Sequence, residues 1–335
     1  MPLRVAAVGV NHWHSLYDMA YLGQLKEMPD VDLVAIQDDD PQILAHRTEA
    51  LGGGVAAYSS YHEMLSDLTV DLVLVLDRHD RMAGIVAYLL EHGIAFIVEK
   101  PACFNAKELS HLAQRAQAST CFAGVPLIQR LSPFVEYARE LLTTGSLGDM
   151  RHFYYRLNRP TSSRYPGWGS AWMLDPARSN GGCLRNLGSH GLDCFAYLTE
   201  EGDDIEVTAA QLSWDTHNQP VEDYASVLLR TGRGVLGTVE VGNVFPSEGR
   251  DADMKIDFER GILRLEGAKV RLYTADGVET LSPAQQKSSL TIERWVRAMA
   301  CGAEPPASLA DCHLAVRLID LAYLAAGNPY GTAAV

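Results

Sequence analysis

From Leu3 to about Val125 the chain alternates short β-branched apolar runs with amphipathic stretches, and this alternation constrains the fold more than any other feature of the sequence. RVAAVG, VDLVAI, VDLVLVL, IAFIVE and CFAGV have the length and composition of buried strands, and the stretches between them leave room for crossover helices. Strands that alternate with helices pair in parallel, so this part of the chain predicts a doubly wound parallel sheet covered on both faces. Helices are expected over 16–27, 41–51, 60–66, 81–92 and 106–118. Ser60 with Glu63, and Asn105 with Glu108, have the spacing of capping boxes and place two of the starts.

After Val125 the order changes. A helix over 132–144, a strand, a long irregular stretch and a helix near His190 lead into VTAAQLSW, YASVLLRT, GVLGTVEVG and MKIDFER, separated by turn residues without helical signal. Such runs predict an antiparallel sheet over 205–275, and two helices over 288–301 and 309–326 close the chain. The fold class is therefore α/β, with one domain over 1–125, a second over 126–335 and a stiff boundary near Pro126. One stretch is out of proportion: 159–182 (RPTSSRYPGWGSAWMLDPARSNGG) is rich in Gly, Pro and Ser yet carries Tyr165, Trp168 and Trp172. Long loops in compact domains are functional or disordered, and the aromatics favour a lid or pocket wall.

Composition supports two cores, since 335 residues at 47% hydrophobic and 21% charged can bury both. A net charge of -14 without any Lys or Arg cluster excludes nucleic acid and anionic membranes as partners. Six cysteines without Cys-x-x-Cys spacing read as reduced thiols of a cytoplasmic protein. The apolar run at the N-terminus is too short for a signal sequence, and no segment approaches the roughly 20 apolar residues of a membrane span.

In a doubly wound sheet, ligands bind outside the carboxyl ends of the strands. That rule selects Gly9, Asn11, His12 and His14 after the first strand, Asp38 after the second, Asp77 and His79 after the fourth, and Glu99, Lys100 and Pro101 after the fifth. Asp38 lies 29 residues after Gly9 and suits a ribose, whose hydroxyls a carboxylate accepts while repelling a 2'-phosphate. Asp39 and Asp40 follow with no adjacent arginine, so NAD is favoured over NADP; the bland alternative is a solvated turn leading into a helix N-terminus. Pro101 restricts Lys100 to extended backbone and aims its side chain.

These pieces together resemble the glucose-fructose oxidoreductase, inositol dehydrogenase and rhizopine-catabolism family, Gfo/Idh/MocA, from Leu3 to about Gly327. VDLVLVLDRHDRMAGIVAYLLEHGIAFIVEKP is similar to its fourth strand, helix and fifth strand, ending on Glu-Lys-Pro. GSLGDMRHFYYRL resembles the opening of its second domain, GGCLRNLGSHGLDCFAYL its Gly-Gly-x-x-x-Asp-x-Gly-x-His-x-x-Asp helix, and DCHLAVRLIDLAYLAAG its closing helix. The resemblance implies a Rossmann domain at 1–125 and a second α/β domain with an open, mainly antiparallel sheet whose face forms a homodimer or homotetramer contact. It implies NAD(P)-dependent oxidation or reduction of a sugar, cyclitol or related diol. Lys100 and His190 would flank the reacting carbon, and Asn186 stands where the family has an aspartate. Gly9, Asn11, His12, Asp38, Asp77, His79, Glu99 and Pro101 would line the cofactor.

The departures cluster at one site. Asn11 and His14 stand where glycines are usual, Asp77-Arg78-His79 where Thr-Pro-Asn is usual, and Asn186 for the aspartate. Asn11 tolerates positive φ, and His12 and His14 are expected to donate hydrogen bonds to phosphate. Two other readings of His12 and His14 are a purely structural role and a metal pair like that of barrel hydrolases, but the strand alternation stops too early for a barrel. A non-catalytic dinucleotide sensor of the same fold is the competing function, against which the retention of Lys100 and His190 speaks. Trp168 and Trp172 are candidates to stack on a sugar, and Arg159, Arg164 and Arg178 to hold an acidic group.

Overall fold

The computed structural model describes residues 1–283, 291–327 and 330. Strands β1 (Leu3–Val8), β2 (Val31–Gln37), β3 (Ala56–Tyr58), β4 (Leu72–Val75), β5 (Phe96–Val98) and β6 (Ala123–Gly124) form one sheet in the order β3-β2-β1-β4-β5-β6. Every pair in it is parallel. β4 and β5 are buried along their whole length, as strands covered on both faces must be. The strand order reverses between β1 and β4, so the ligand crevice lies beyond their carboxyl ends.

Crossovers are made by α1 (Tyr21–Glu27), α2 (Pro41–Ala50), α3 (Tyr61–Asp67), α4 (His79–Glu91) and α5 (Ala106–Gln117). Ser60 and Asn105 cap α3 and α5 through the amides of Glu63 and Glu108. At α5 the Glu108 carboxylate accepts from the Phe104 amide, one residue ahead of the cap. Two expected starts move. The helix expected over 16–27 begins at Tyr21, preceded by a 3-10 turn at Trp13–Ser15 and by left-handed backbone at Asp18 and Ala20. That detour carries the Asp18 carboxylate to the His14 ring, 3.6 Å away, a contact no local propensity encodes. The helix expected over 81–92 begins earlier, at His79.

The second half opens with α6 (Pro133–Thr144) and β7 (Met150–Pro160), then two single-turn helices, α7 (Arg164–Gly167) and α8 (Pro176–Ser179), with a 3-10 turn (Ala171–Leu174) between them. A π-helical turn (Leu184–Gly188) runs into α9 (Ser189–Thr199). There follow β8 (Glu206–Ser213), β9 (Tyr224–Arg230), β10 (Leu236–Phe245), β11 (Asp251–Phe258), β12 (Gly261–Glu266), β13 (Lys269–Thr274) and β14 (Gly277–Pro283). They assemble in the order β14-β13-β12-β11-β7-β10-β9-β8, antiparallel except for the parallel β7–β10 pair. Phe153, Tyr155, Val227, Val239 and Ile256 on its inner face share a core with Leu192 and Phe195 of α9.

Helices α10 (Thr291–Ala300) and α11 (Leu309–Ala325) end the described chain, and the expected start of α10 at Ser288 lies outside the described residues. Ile292, Trp295 and Val296 of α10 return to the core of the first sheet. All six cysteines are free thiols, and among the described residues no helix is long and apolar enough to cross a membrane.

Candidate active site

Lys100 leaves β5 through a cis bond to Pro101 and is 2% exposed. Its Nζ donates to the Asn186 carbonyl at 2.8 Å and to Asn186 Oδ1 at 2.5 Å, joining the first sheet to the π turn before α9. Asn186 Nδ2 in turn donates to the Tyr165 hydroxyl at 2.7 Å. His190, in the first turn of α9, is 7% exposed and its Nδ1 is buried without a hydrogen-bond partner. Burial lowers the pKa of Lys100, and burial followed by the Lys100 charge holds His190 well below the usual histidine range. His190 is therefore a neutral ring beside an amine, the state a proton acceptor needs.

The position of α9 is fixed from beneath. Glu222 accepts hydrogen bonds from the amides of Gly182 and Leu184 and from the Tyr323 hydroxyl, at 2.7 to 2.9 Å. Gly182 is required there because a Cβ would stand 2.3 Å from the Glu222 carbonyl oxygen. Arg185, fully buried, pairs with Asp320 of α11 at 2.6 Å.

At the ends of β1, β2 and β4 a carboxylate cluster forms. Gly9 has φ 69°, and a Cβ on it would lie 2.3 Å from the Asp77 Cβ. Asn11, expected to take the turn's positive φ, does not; it contributes its amide instead, donating to Asp38 at 3.1 Å and Asp77 at 2.9 Å. Burial and then the neighbouring Asp77 push the Asp38 carboxyl up to about 6, and burial raises Asp77 as well. One arginine missing from the local sequence comes from α4: Arg81 reaches Asp39 at 2.7 Å and Asp77 at 3.7 Å.

The two histidines of the first turn are both buried and contact protein groups. His12 is fully buried, stacks on Trp13 at 3.8 Å, and its Nδ1 accepts from the His14 amide. His14 lies between Glu99 (3.2 Å) and Asp18 (3.6 Å). Burial opposes its charge, but the Glu99 and Asp18 carboxylates prevail and raise its pKa. Single ligand atoms of His12, His14 and Glu99 fall within 4.8 Å of one another, a spacing a divalent cation can bridge. The His12 tautomer argues against it: its Nδ1 accepts a hydrogen bond from the His14 amide, so in the neutral ring Nε2 carries the proton and offers no lone pair. His79 has the opposite tautomer, its Nδ1 donating to the Ser179 carbonyl at 2.8 Å while burial holds its pKa down at about 3.

The aromatic stretch 159–182 lies directly on this region. Trp172 is 5% exposed, with ring centroids 6.0 Å from Trp13 and 5.0 Å from His79. Trp168 stacks on Tyr17 at 5.7 Å, and Tyr165 packs on Trp13 at 4.9 Å. The Arg164 guanidinium is engaged within its own neighbourhood, by the Pro160 and Thr161 carbonyls, Tyr165 and Asn243. Arg159 pairs with Asp18 at 3.0 Å and Arg178 with Asp175 at 3.2 Å. Sequence reasoning missed Asp18, whose turn toward His14 follows no helical pattern, and Arg47, Ser170 and Glu222, which bond Trp168, Asn11 and Gly182 far along the chain.

The donor set suits a dinucleotide. Asp38 and Asp77 supply acceptors, and Asn11 Oδ1, His12 Nε2, His79 Nε2 and Trp172 Nε1 are buried polar atoms without hydrogen-bond partners. Buried polar atoms in native proteins nearly always find partners, so such a group marks a place where a polar ligand completes the bonding.

Two family models match the chain. One, described as the oxidoreductase family with an NAD-binding Rossmann fold, covers residues 3–126, and the other, the GFO/IDH/MocA C-terminal domain, covers 135–264. The trans-1,2-dihydrobenzene-1,2-diol dehydrogenase of Mus musculus is 27% identical over 186 residues, 54% of this chain and 52% of that protein, so the match spans about half of its length. The structure of an oxidoreductase from Agrobacterium radiobacter in complex with NAD+, L-tartaric acid and magnesium superposes with a TM-score of 0.83 at 18% identity, over 98% of this chain and 97% of the other. Levoglucosan dehydrogenase in complex with NADH gives a TM-score of 0.82 at 18% identity, covering 98% and 97%.

Proposed function

We propose, from the premise that this chain belongs to the GFO/IDH/MocA family of oxidoreductases, that it transfers a hydride between NAD and a carbinol carbon of a sugar, cyclitol or related diol. The observation that carries this reading is the Lys100–Asn186 contact, which sets a buried amine at the end of the first sheet against the turn that leads into the helix bearing His190, whose Nδ1 has no hydrogen-bond partner. When bound, NAD supplies the hydride acceptor. Asp38 and Asp77 would hold ribose hydroxyls, and Gly9, Asn11, His12, His79, Glu99 and Pro101 would line the rest of the crevice. His190 takes the hydroxyl proton of the substrate, Lys100 donates a hydrogen bond to the same oxygen, and Asn186 orients the Lys100 amine. With two of its three N–H donors on Asn186, Lys100 keeps one for substrate.

The relatives named for diol and anhydrosugar dehydrogenation support a polyol substrate, and Trp168, Trp172 and Arg164 remain the candidate wall of its pocket. Residues 1–125 with α10 are proposed as the cofactor domain, and the rest from Pro126 as the substrate and oligomer domain. Six free thiols support a cytoplasmic setting. A panel of sugars, sugar acids and cyclitols with NAD, followed by nicotinamide absorbance, tests the reading. A dinucleotide-binding sensor is the second reading, favoured by the cover over the crevice. NAD binding without turnover of any panel member would put it first.

A further inference from the structure

We infer that Arg47 is a two-state latch: it holds the segment from Trp168 to Asn180 shut over the dinucleotide crevice, and it presents the same guanidinium to the cofactor's phosphates once that segment lifts. The inference rests on the reading of the crevice as a dinucleotide site.

The segment crosses the carboxyl end of nearly every strand that would face the cofactor. After β1, Ser170 Oγ donates to the Asn11 carbonyl at 2.6 Å. After β4, the Ser179 carbonyl accepts from His79, and after β5 Asn180 Nδ2 donates to the Phe104 carbonyl at 2.7 Å. Gly169 lies so close to α2 that a Cβ on it would stand 2.7 Å from Ile43 Cδ1. Beneath this cover Asp38 is 1% exposed and His12 fully buried, so the groups proposed to receive a ribose and a pyrophosphate face protein, not solvent. A Rossmann turn receives pyrophosphate on free backbone amides, yet here the His12 amide donates to the Leu76 carbonyl and the His14 amide to the His12 ring.

Arg47 ties the cover down. Its Nε donates to the Val10 carbonyl at 3.1 Å and its Nη2 to the Trp168 carbonyl at 2.9 Å, so one side chain of α2 bridges the first turn and the segment. Arg47 is 1% exposed; its hydrogen-bond acceptors, the His46 ring nitrogen included, are neutral, it lies over the Tyr17 ring, and the Asp38 carboxylate acts on it without a direct ion pair. A buried guanidinium held by neutral acceptors is costly, since buried cations are ordinarily paired with an anion. It lies beside the turn where a dinucleotide brings its phosphates, and a phosphate is the bidentate partner that arginine geometry fits best. The Trp168 carbonyl thus occupies the place of a phosphate oxygen in the closed chain.

The test is NAD binding to the full chain by calorimetry and stopped-flow mixing, for the wild type, Trp168→Ala, Ser170→Ala, Arg47→Ala and Arg47→Lys, each first checked for an unchanged Tm. In the wild type the observed binding rate should level off with NAD concentration, because lifting limits entry. Trp168→Ala and Ser170→Ala weaken only the cover, so they should raise that ceiling and lower Kd about 3- to 10-fold. Arg47→Ala should raise the ceiling as well, yet raise Kd by about 10-fold or more through loss of the phosphate anchor, with Arg47→Lys between. A wild-type rate that stays linear in NAD, with Kd unmoved by Trp168→Ala and Ser170→Ala, overturns the latch alone. Binding of NAD by none of the five proteins sinks the dinucleotide reading and the latch with it.

Discussion

The two N–H groups of Asn11 Nδ2 go one to each of two neighbouring carboxylates, Asp38 and Asp77, and the crowding of these acids at the residue scale has a measurable pH signature. The Asp38 carboxyl is raised to about 6 in the fold, so between about pH 4 and pH 6 the folded chain binds more protons than the unfolded one. Stability therefore falls as pH rises through that window and stays reduced above it. Asp38→Asn should raise Tm at pH 7 to 8, by a stability change on the order of 1–2 kcal/mol, with the gain vanishing toward pH 4. The same variant should narrow the preference for NAD over NADP, measured as the ratio of the two Kd values; tighter binding of NADP by the unmodified protein would sink the role of Asp38. At the reacting end, His190→Ala should lower kcat by roughly 10²- to 10⁴-fold, and Lys100→Ala comparably. Intact turnover in both would place the chemistry elsewhere. Asn186→Asp keeps an acceptor for Lys100 and lets the Tyr165 hydroxyl reverse its hydrogen bond, so turnover should survive. The added charge favours protonated His190, so the acidic limb of the kcat profile should move upward; an unmoved limb would show that residue 186 does not sense the proton acceptor.

Among the elements, the strands of the first sheet were legible because β1, β4 and β5 are apolar runs bounded by turns, and their burial leaves no other reading. The start of α1 was not, because Asp18 leaves the helical region to reach His14 and Arg159, partners whose positions depend on the whole fold. The helix that carries His190 is an intermediate case. Its motif was visible in GGCLRNLGSHGLD, whereas the π turn at Leu184–Gly188 and the carboxylate that anchors it were not, since Glu222 lies far along the chain. Glu222 holds two amides and a phenol with one charge, so Glu222→Gln leaves at least one of those donors without its charged acceptor. That change should cost about 1–3 kcal/mol in denaturant unfolding. It should also lower kcat with little change in KM for cofactor, because what moves is the helix carrying Asn186 and His190. Equal loss of both parameters would indicate general unfolding instead.

For the whole molecule, alternation of strands and helices was sufficient to separate a parallel from an antiparallel sheet, but contacts between the halves were not readable. The stretch 159–182 announced itself by length and aromatic content, while its seat on the β1 turn depends on Arg47 and Ser170, residues that are unremarkable in sequence. The outer face of the eight-stranded sheet has a further consequence. Its inward positions fill the second core, and the alternation along β9, β10 and β12 leaves Leu228, Leu236 and Ile262 at 45%, 51% and 38% exposure. Around them run ion pairs on the same face, Arg156–Asp251 at 3.0 Å, Lys255–Asp257 at 2.9 Å and Arg264–Asp253 at 3.6 Å. Apolar positions within a charged surround are the composition of a self-association surface, and such a sheet face can pair with its own copy across a two-fold axis. Light scattering at micromolar concentration should therefore give a dimer or tetramer. Leu228→Glu with Leu236→Glu places like charges on facing copies and should shift the protein to monomer, while NAD binding persists because the crevice lies on the other sheet. A wild-type monomer, or an oligomer unmoved by the double substitution, would assign the contact to another surface.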